Sequence, residues 1–185
     1  MKHLVWIAVV ALLAGAGIRA ADADGWVTIL DEKSFKEWKL MPAKAGVAVE
    51  EGDGIKKFAK GQWTFKDGML KGDGDVSHIF SPRGDYENFH FKAEIKISDK
   101  GNGGQYFRAA LGNGWPKGYE AQINSTHTDP KRTGSLYNFK NVTERLVPPD
   151  TSFTQEVIAD GNHIIIKVND KVATDFVDEK NTHMK

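Results

Sequence analysis

The chain has no cysteine among its 185 residues, which excludes disulfides, thiolate metal sites and cysteine nucleophiles together. Stability must come from an ordinary apolar core, and roughly 160 residues beyond an N-terminal leader suffice for one domain of that kind. Net charge is missing as well, 25 basic residues standing against 25 acidic ones. Nothing in that balance favours nucleic acid or an anionic membrane as a partner. The six histidines show no His-x-x-x-His or similar ligand spacing. They read as exposed or structurally hydrogen-bonded side chains. Long helical periodicity, internal repeats and low-complexity tracts are absent too.

One long apolar run exists, over residues 4–16, behind Lys2 and ahead of small residues. This is the pattern of an export signal, with cleavage expected after Ala20 or, by Ala21-Asp22-Ala23, after Ala23. The run is short against the roughly 20 residues that cross a bilayer, and without a cysteine at the cut no lipid anchor can form. A cut after Ala20 removes Lys2 and Arg19 and leaves 23 basic against 25 acidic residues, a charge of −2. The expectation is a periplasmic or secreted protein without stable membrane insertion, with residues 1–20 as signal and 25–185 as a single domain.

Beyond the leader, strand signals dominate. Residues 89–97 alternate most clearly: Phe89, Phe91, Ala93, Ile95 and Ile97 on one side, His90, Lys92, Glu94 and Lys96 on the other, as a strand with one buried face requires. Asp67-Gly68 between 62–65 and 69–71 predicts a tight hairpin. Residues 153–159, 164–168 and 172–177, separated by Asp-Gly-Asn and Asn-Asp turns, predict an antiparallel meander. Further strands are expected at 26–30, 105–110, 119–124 and 135–139. Ser34 is expected to cap one helical turn that turns Phe35 and Trp38 inward, and 41–60 reads as a loop with at most one short strand. Many short strands at about 8–12 residue spacing predict an all-β, two-sheet antiparallel sandwich.

Chemistry concentrates in Gly118-Tyr119-Glu120-Ala121-Gln122-Ile123. Alternation puts Glu120, Gln122 and Asn124 on one face and Tyr119, Ala121 and Ile123 on the other. Upstream, Tyr106 and Arg108 share a parity. If the two strands pair, a carboxylate, an amide, a phenol and a guanidinium line one surface, an inventory suited to a saccharide. The plain alternative is ordinary solvent-facing residues on a half-buried sheet. Glycosidases of the two-acid type need paired carboxylates, and here one acid is followed by two amides. Ser135 lacks the Gly-x-Ser-x-Gly context of a serine hydrolase, and Gly72-Asp73-Gly74-Asp75 is too short for a nucleotide loop and reads as a turn. Asn124-Ser125-Thr126 and Asn141-Val142-Thr143 match the N-glycosylation sequon.

Several stretches together resemble the 3-keto-disaccharide hydrolase family. They are Gly25-Trp26-Val27-Thr28-Ile29-Leu30 with Phe35-x-x-Trp38, Asn88-Phe89-His90-Phe91-Lys92-Ala93-Glu94, Gly101-Asn102-Gly103-Gly104-Gln105-Tyr106-Phe107-Arg108, the Glu120 motif, and Thr133-Gly134-Ser135-Leu136-Tyr137, in that order. The resemblance implies a concanavalin A-like jelly roll, an exported bacterial protein and cleavage of 3-keto-glycosides. A ketone at C3 acidifies the C2 proton, so one base can remove it, the enolate expels the C1 substituent, and water adds to the enone. That route needs a positioned base and donors for the oxyanion rather than an acid pair.

By resemblance and parity Glu120 is the expected base or metal ligand, with Arg108 and Gln122 binding substrate or stabilising negative charge. Tyr106, Tyr137, Glu94 and His78 are further substrate-binding candidates. Glu94 has the alternative of pairing with neighbouring lysines. A divalent cation such as calcium suits carboxylate and amide oxygens, although the sequence fixes no ligand set. Family members continue beyond Asp175-Phe176-Val177-Asp178 into further strands, one carrying a histidine. This sequence stops at Lys185, so the resemblance implies a domain short of its last one or two strands. A non-catalytic carbohydrate-binding module on the same sandwich is the competing reading, and a structural envelope domain the third.

Overall fold

The alternation over residues 89–97 builds the centre of the molecule, because each buried side chain there packs under a second layer of strands. The structure is a computed structural model that describes the strand Leu4–Ala14 and residues 25–183. Ala20 and Ala23, where cleavage is expected, lie outside the described residues. In chain order the strands are β1 (Leu4–Ala14), β2 (Val27–Leu30), β3 (Lys39–Pro42), β4 (Val49–Gly52), β5 (Ile55–Phe58), β6 (Gly61–Lys66) and β7 (Met69–Asp73). They continue as β8 (Ser77–Phe80), β9 (Phe89–Ile97), β10 (Gly103–Phe107), β11 (Tyr119–Ile123), β12 (Ser152–Asp160), β13 (His163–Val168) and β14 (Lys171–Val177).

A ten-stranded sheet runs β14-β13-β12-β9-β1-β7-β6-β5-β4, with β2 joined to β1. Two ribbons, β10-β11 and β3-β8, make the rest. All strand pairs are antiparallel. The expected sandwich is therefore present. Beneath β10-β11, Phe107, Tyr119, Ala121 and Leu136 pack on Phe89, Val157, Ala159, Ile164 and Ile166 of the large sheet. A second cluster joins Ile95, Ile97 and Phe153 to Ile123, Leu30, Phe35 and Trp38. The segment read as an export signal is here a strand between β7 and β9.

The β6-β7 hairpin turns at Asp67 and Gly68, both at positive φ (53° and 75°), the geometry that Asp-Gly favours. Residues 41–60, where at most one short strand is expected, hold the end of β3 and all of β4 and β5. Gly54, at φ 64°, turns β4 into β5, and Lys56 hides the pattern because its stem is buried while its ammonium reaches Glu51 at 2.9 Å. The turn Ser34–Glu37 forms with Phe35 and Trp38 buried, but Ser34 is not its cap. Instead Asp31 Oδ1 accepts from the Ser34 amide at 2.6 Å and Ser34 Oγ accepts from the Asp31 amide at 2.7 Å. Residues 135–139 form isolated bridges rather than a strand, since Asn138 at φ 64° folds Leu136 back onto Lys140.

Gln155 of β12 ties the layers together. Fully buried, it donates to Gln105 Oε1 of β10 at 2.9 Å and accepts from the Gly134 amide at 3.2 Å. Thr174 Oγ1 donates to the Gly134 carbonyl at 2.8 Å beside it. Removing such a partner leaves buried polar groups unsatisfied as well as a cavity. We expect Gln155→Ala to cost about 3 kcal/mol, read as a lower urea midpoint at unchanged m-value; an unchanged midpoint would show that the link is dispensable.

Candidate functional site

Antiparallel pairing sets Tyr106 opposite Glu120 and Gly104 opposite Gln122. Tyr119, Ala121 and Ile123 point into the core, so Glu120 and Gln122 rise from the other face, as alternation requires. Glu120 lies across Gly104: a Cβ there would stand 2.3 Å from Glu120 Oε1. Only glycine leaves room for the carboxylate. The Tyr106 hydroxyl hydrogen-bonds Glu120. In the orientation that meets its neighbours' acceptors, the Gln122 amide donates to Glu120 Oε1 at 3.2 Å and to the Gly103 carbonyl at 2.8 Å.

Burial penalises the charged form and pushes the Glu120 pKa up to about 7, against 4.5 ordinarily. The Tyr106 hydrogen bond opposes that rise, the charge of Asp129 adds to it and Lys131 counters it. Tyr106 is itself driven far above the usual phenol range, by burial first and then by the Glu120 charge. It therefore stays protonated and acts as a donor. The pair places a carboxylate that exchanges its proton near neutrality beside a fixed hydroxyl donor.

A loop after β11 surrounds this pair. Asn124, fully buried, donates to the Asp129 and Lys131 carbonyls at 2.9 and 2.8 Å and accepts from the His127 amide and from Arg132 at 3.0 Å each. It shapes the loop and is spent on backbone. Tyr137 donates from its hydroxyl to Asp129 Oδ2 at 2.7 Å, and Lys131 Nζ stands 4.1 Å from the centre of its ring. Burial pushes the Asp129 pKa up, yet Tyr137, the Lys131 amide and the nearby charge of Lys131 bring it below the usual value. His127 Nδ1 accepts from the Asp129 amide at 3.1 Å, which makes that ring nitrogen the unprotonated one in this contact.

A cavity of about 590 Å³ opens beside Glu120, and His78, Tyr106, Arg108, Trp115 and His127 also line it. Of the seven residues singled out in the sequence, four reach this wall. Gln122 supports Glu120 from behind, while Tyr137 supports Asp129. Glu94 is a correction: it is exposed, its register partners are Thr154 and Ala8, and its face is opposite to that of Ala93 and Ile95, which enter the core. Arg108 departs from the simple parity argument. It follows the last residue of β10 at φ 48°, which breaks the alternation, and its guanidinium donates to the Glu87 carbonyl at 2.7 and 3.3 Å. His78, on β8, sets its ring 5.5 Å from both Tyr106 and Trp115. Burial lowers its pKa, partly offset by a backbone hydrogen bond with Gly114, so the ring is neutral at pH 7.

Sequence reasoning missed Trp115, His127, Asp129 and Lys131. The available signal was local: a tryptophan inside the Gly-rich 112–118 segment, and imidazole or charged side chains at every second position from His127 to Lys131. Among the described residues no three His, Asp or Glu side chains gather in metal-binding geometry. Calcium takes about six to eight oxygens, whereas Glu120 is met by the donors of Tyr106 and Gln122. The side chains around Glu120 therefore do not fit the expected cation.

The raised Glu120 pKa has a thermodynamic consequence. The folded chain holds this proton more tightly than the unfolded one, so the contribution is complete below pH 4.5 and is lost as pH rises through about 7. We expect the stability of Glu120→Gln relative to the parent to rise over that window by up to about 3 kcal/mol, measured by urea unfolding at pH 4.5 and 8. A parallel pair of pH profiles would refute the assignment.

Comparison with known proteins bears on the family and the fold. No curated protein matches the chain. Nine chains of solved structures do, among them the 1.70 Å crystal structure of a provisionally assigned glycosyl hydrolase from Parabacteroides distasonis. Its TM-score is 0.56 at 20% identity over 87% of this chain and 76% of that one, a likeness of fold. Residues 25–185 match the 3-keto-alpha-glucoside-1,2-lyase-like domain. The chain thus belongs to the family of 3-keto-alpha-glucoside-1,2-lyase-like domains, a carbohydrate-cleaving group.

Proposed function

We propose that this protein cleaves the glycosidic bond of 3-keto-glycosides by elimination, with Glu120 as the base. The observation that carries the reading is a single half-buried carboxylate, poised near neutral pH at a cavity and held by Tyr106 and Gln122. Glu120 takes the proton from C2; the C2–H electrons form the C1=C2 bond through the enolate of the C3 ketone, and the C1–O bond breaks. The proton on Glu120 passes to the departing oxygen, giving an enone and a free alcohol. Addition of water to the enone completes a net hydrolysis. Arg108, which lines the same cavity, supplies positive charge for the enolate, and neutral His78 and Tyr106 shape the sugar site.

With the enzyme otherwise intact, Glu120→Gln is expected to lower kcat on a 3-keto-glucoside by about 10²–10⁴-fold. Because the base must be ionised, the kcat/KM of the parent should climb with pH and level off above about 7. Turnover that survives this substitution would remove Glu120 from the mechanism. Saturable binding of unoxidised glycans, with no product from any keto sugar, would select the binding-module reading instead.

Export is part of the proposal. The protein recovered from periplasm or medium is expected to begin at Ala21 or Asp24, which N-terminal sequencing reads directly; an intact Met1 terminus there would refute cleavage. Such cleavage would withdraw β1 from between β7 and β9.

A further inference from the structure

We propose that Trp115 is the platform on which a pyranose ring of the ligand stacks, and so a specificity residue of the site. This rests on the reading of the cavity as a glycoside site. Trp115 is 63% exposed, the most open of the large exposed hydrophobic side chains, yet it lines the same cavity as Glu120. A sugar ring entering that cavity would cover this open indole and remove its apolar surface from water. One side of the ring is already fixed, 5.5 Å from the His78 ring in an edge-on arrangement.

The backbone beneath it is pinned. Asn113 Nδ2 donates to the Pro42 carbonyl at 2.9 Å, and the Gly114 amide donates to the Ala43 carbonyl at 2.9 Å. Gly114 takes φ 83°, a left-handed value suited to glycine, and Pro116 restricts the backbone of the preceding Trp115. The indole is thus held in place before ligand arrives, which lowers the ordering cost of binding. A pyranose presents a face of C–H bonds with slight positive charge, complementary to the negative face of an indole. Hydroxyls at the ring edge stay free for polar groups. Tyr106 links the two functions: it contacts His78, which contacts Trp115, and it hydrogen-bonds Glu120.

The test uses the full chain and the 3-keto derivative of methyl α-glucoside. Trp115→Ala is expected to raise KM about tenfold with kcat within about threefold of the parent, and Trp115→Phe to recover most of the loss. Unchanged KM, or a fall in kcat alone, overturns the platform. In a second arm, Glu120→Gln protein is titrated with the same keto-glucoside and tryptophan emission is followed. The saturable change should vanish when Trp115→Phe is added and persist when Trp26→Phe is added. Persistence without Trp115, or no saturable change at all, overturns the proposal. Parent protein that binds through Trp115 without turning the sugar over would remove the catalytic reading and leave the platform standing.

Discussion

The two layers of the sandwich meet through one buried amide. Apolar packing beneath β10 and β11 provides adhesion, but such contacts tolerate sliding, whereas the hydrogen bonds that Gln155 donates to Gln105 and accepts from the Gly134 amide admit a single register. That register fixes the ribbon carrying Tyr106 and Glu120, and the Gly134 tie extends it to the segment that runs alongside β11. There the Tyr137 amide donates to the Glu120 carbonyl at 2.9 Å and the Gln122 amide to the Ser135 carbonyl at 3.0 Å. The Glu120 carboxylate is thus held through its own main chain by the large sheet.

Around Glu120 the structure uses neutral donors to hold a carboxylate in a partly dry place. Desolvation is the largest influence and raises its pKa; the Tyr106 hydroxyl and the Lys131 charge pull it back, and Asp129 pushes the other way. The balance needs each partner at a set distance. This explains why a glycine stands opposite Gln122: any side chain at Gly104 would occupy the space of the carboxylate. It also explains why Tyr137 and Asn124, whose residue types suit sugar binding, are committed to the loop that sets Asp129 and Lys131.

Much of this was legible from residue order. Strict alternation marked β9, the β6-β7 hairpin and the β12-β13-β14 meander, because each buries one face. The motif around Glu120 was legible because acid and amide alternate with residues that can only be core. Illegible parts share one cause: a local rule overridden by tertiary geometry. Arg108 leaves the parity of Tyr106 because the backbone turns at positive φ; Lys56 conceals a strand because a lysine stands buried where the pattern calls for an apolar residue, its ammonium paired with Glu51. Glu94 looked usable from its motif, yet its alternation with Ala93 and Ile95 already placed it on the outer face.

Asn124 bears on how the protein can be made. It heads one of two glycosylation sequons, and its amide nitrogen is committed to two loop carbonyls at 0% exposure, while Asn141 of the other sequon is exposed. An oligosaccharide attached to Asn124 during synthesis in a eukaryotic secretory host would take that nitrogen before the loop could close on it. Chains produced there would divide into glycosylated molecules with a disordered wall beside Glu120 and unmodified ones with the wall intact, so a bacterial host is the sounder source of homogeneous material.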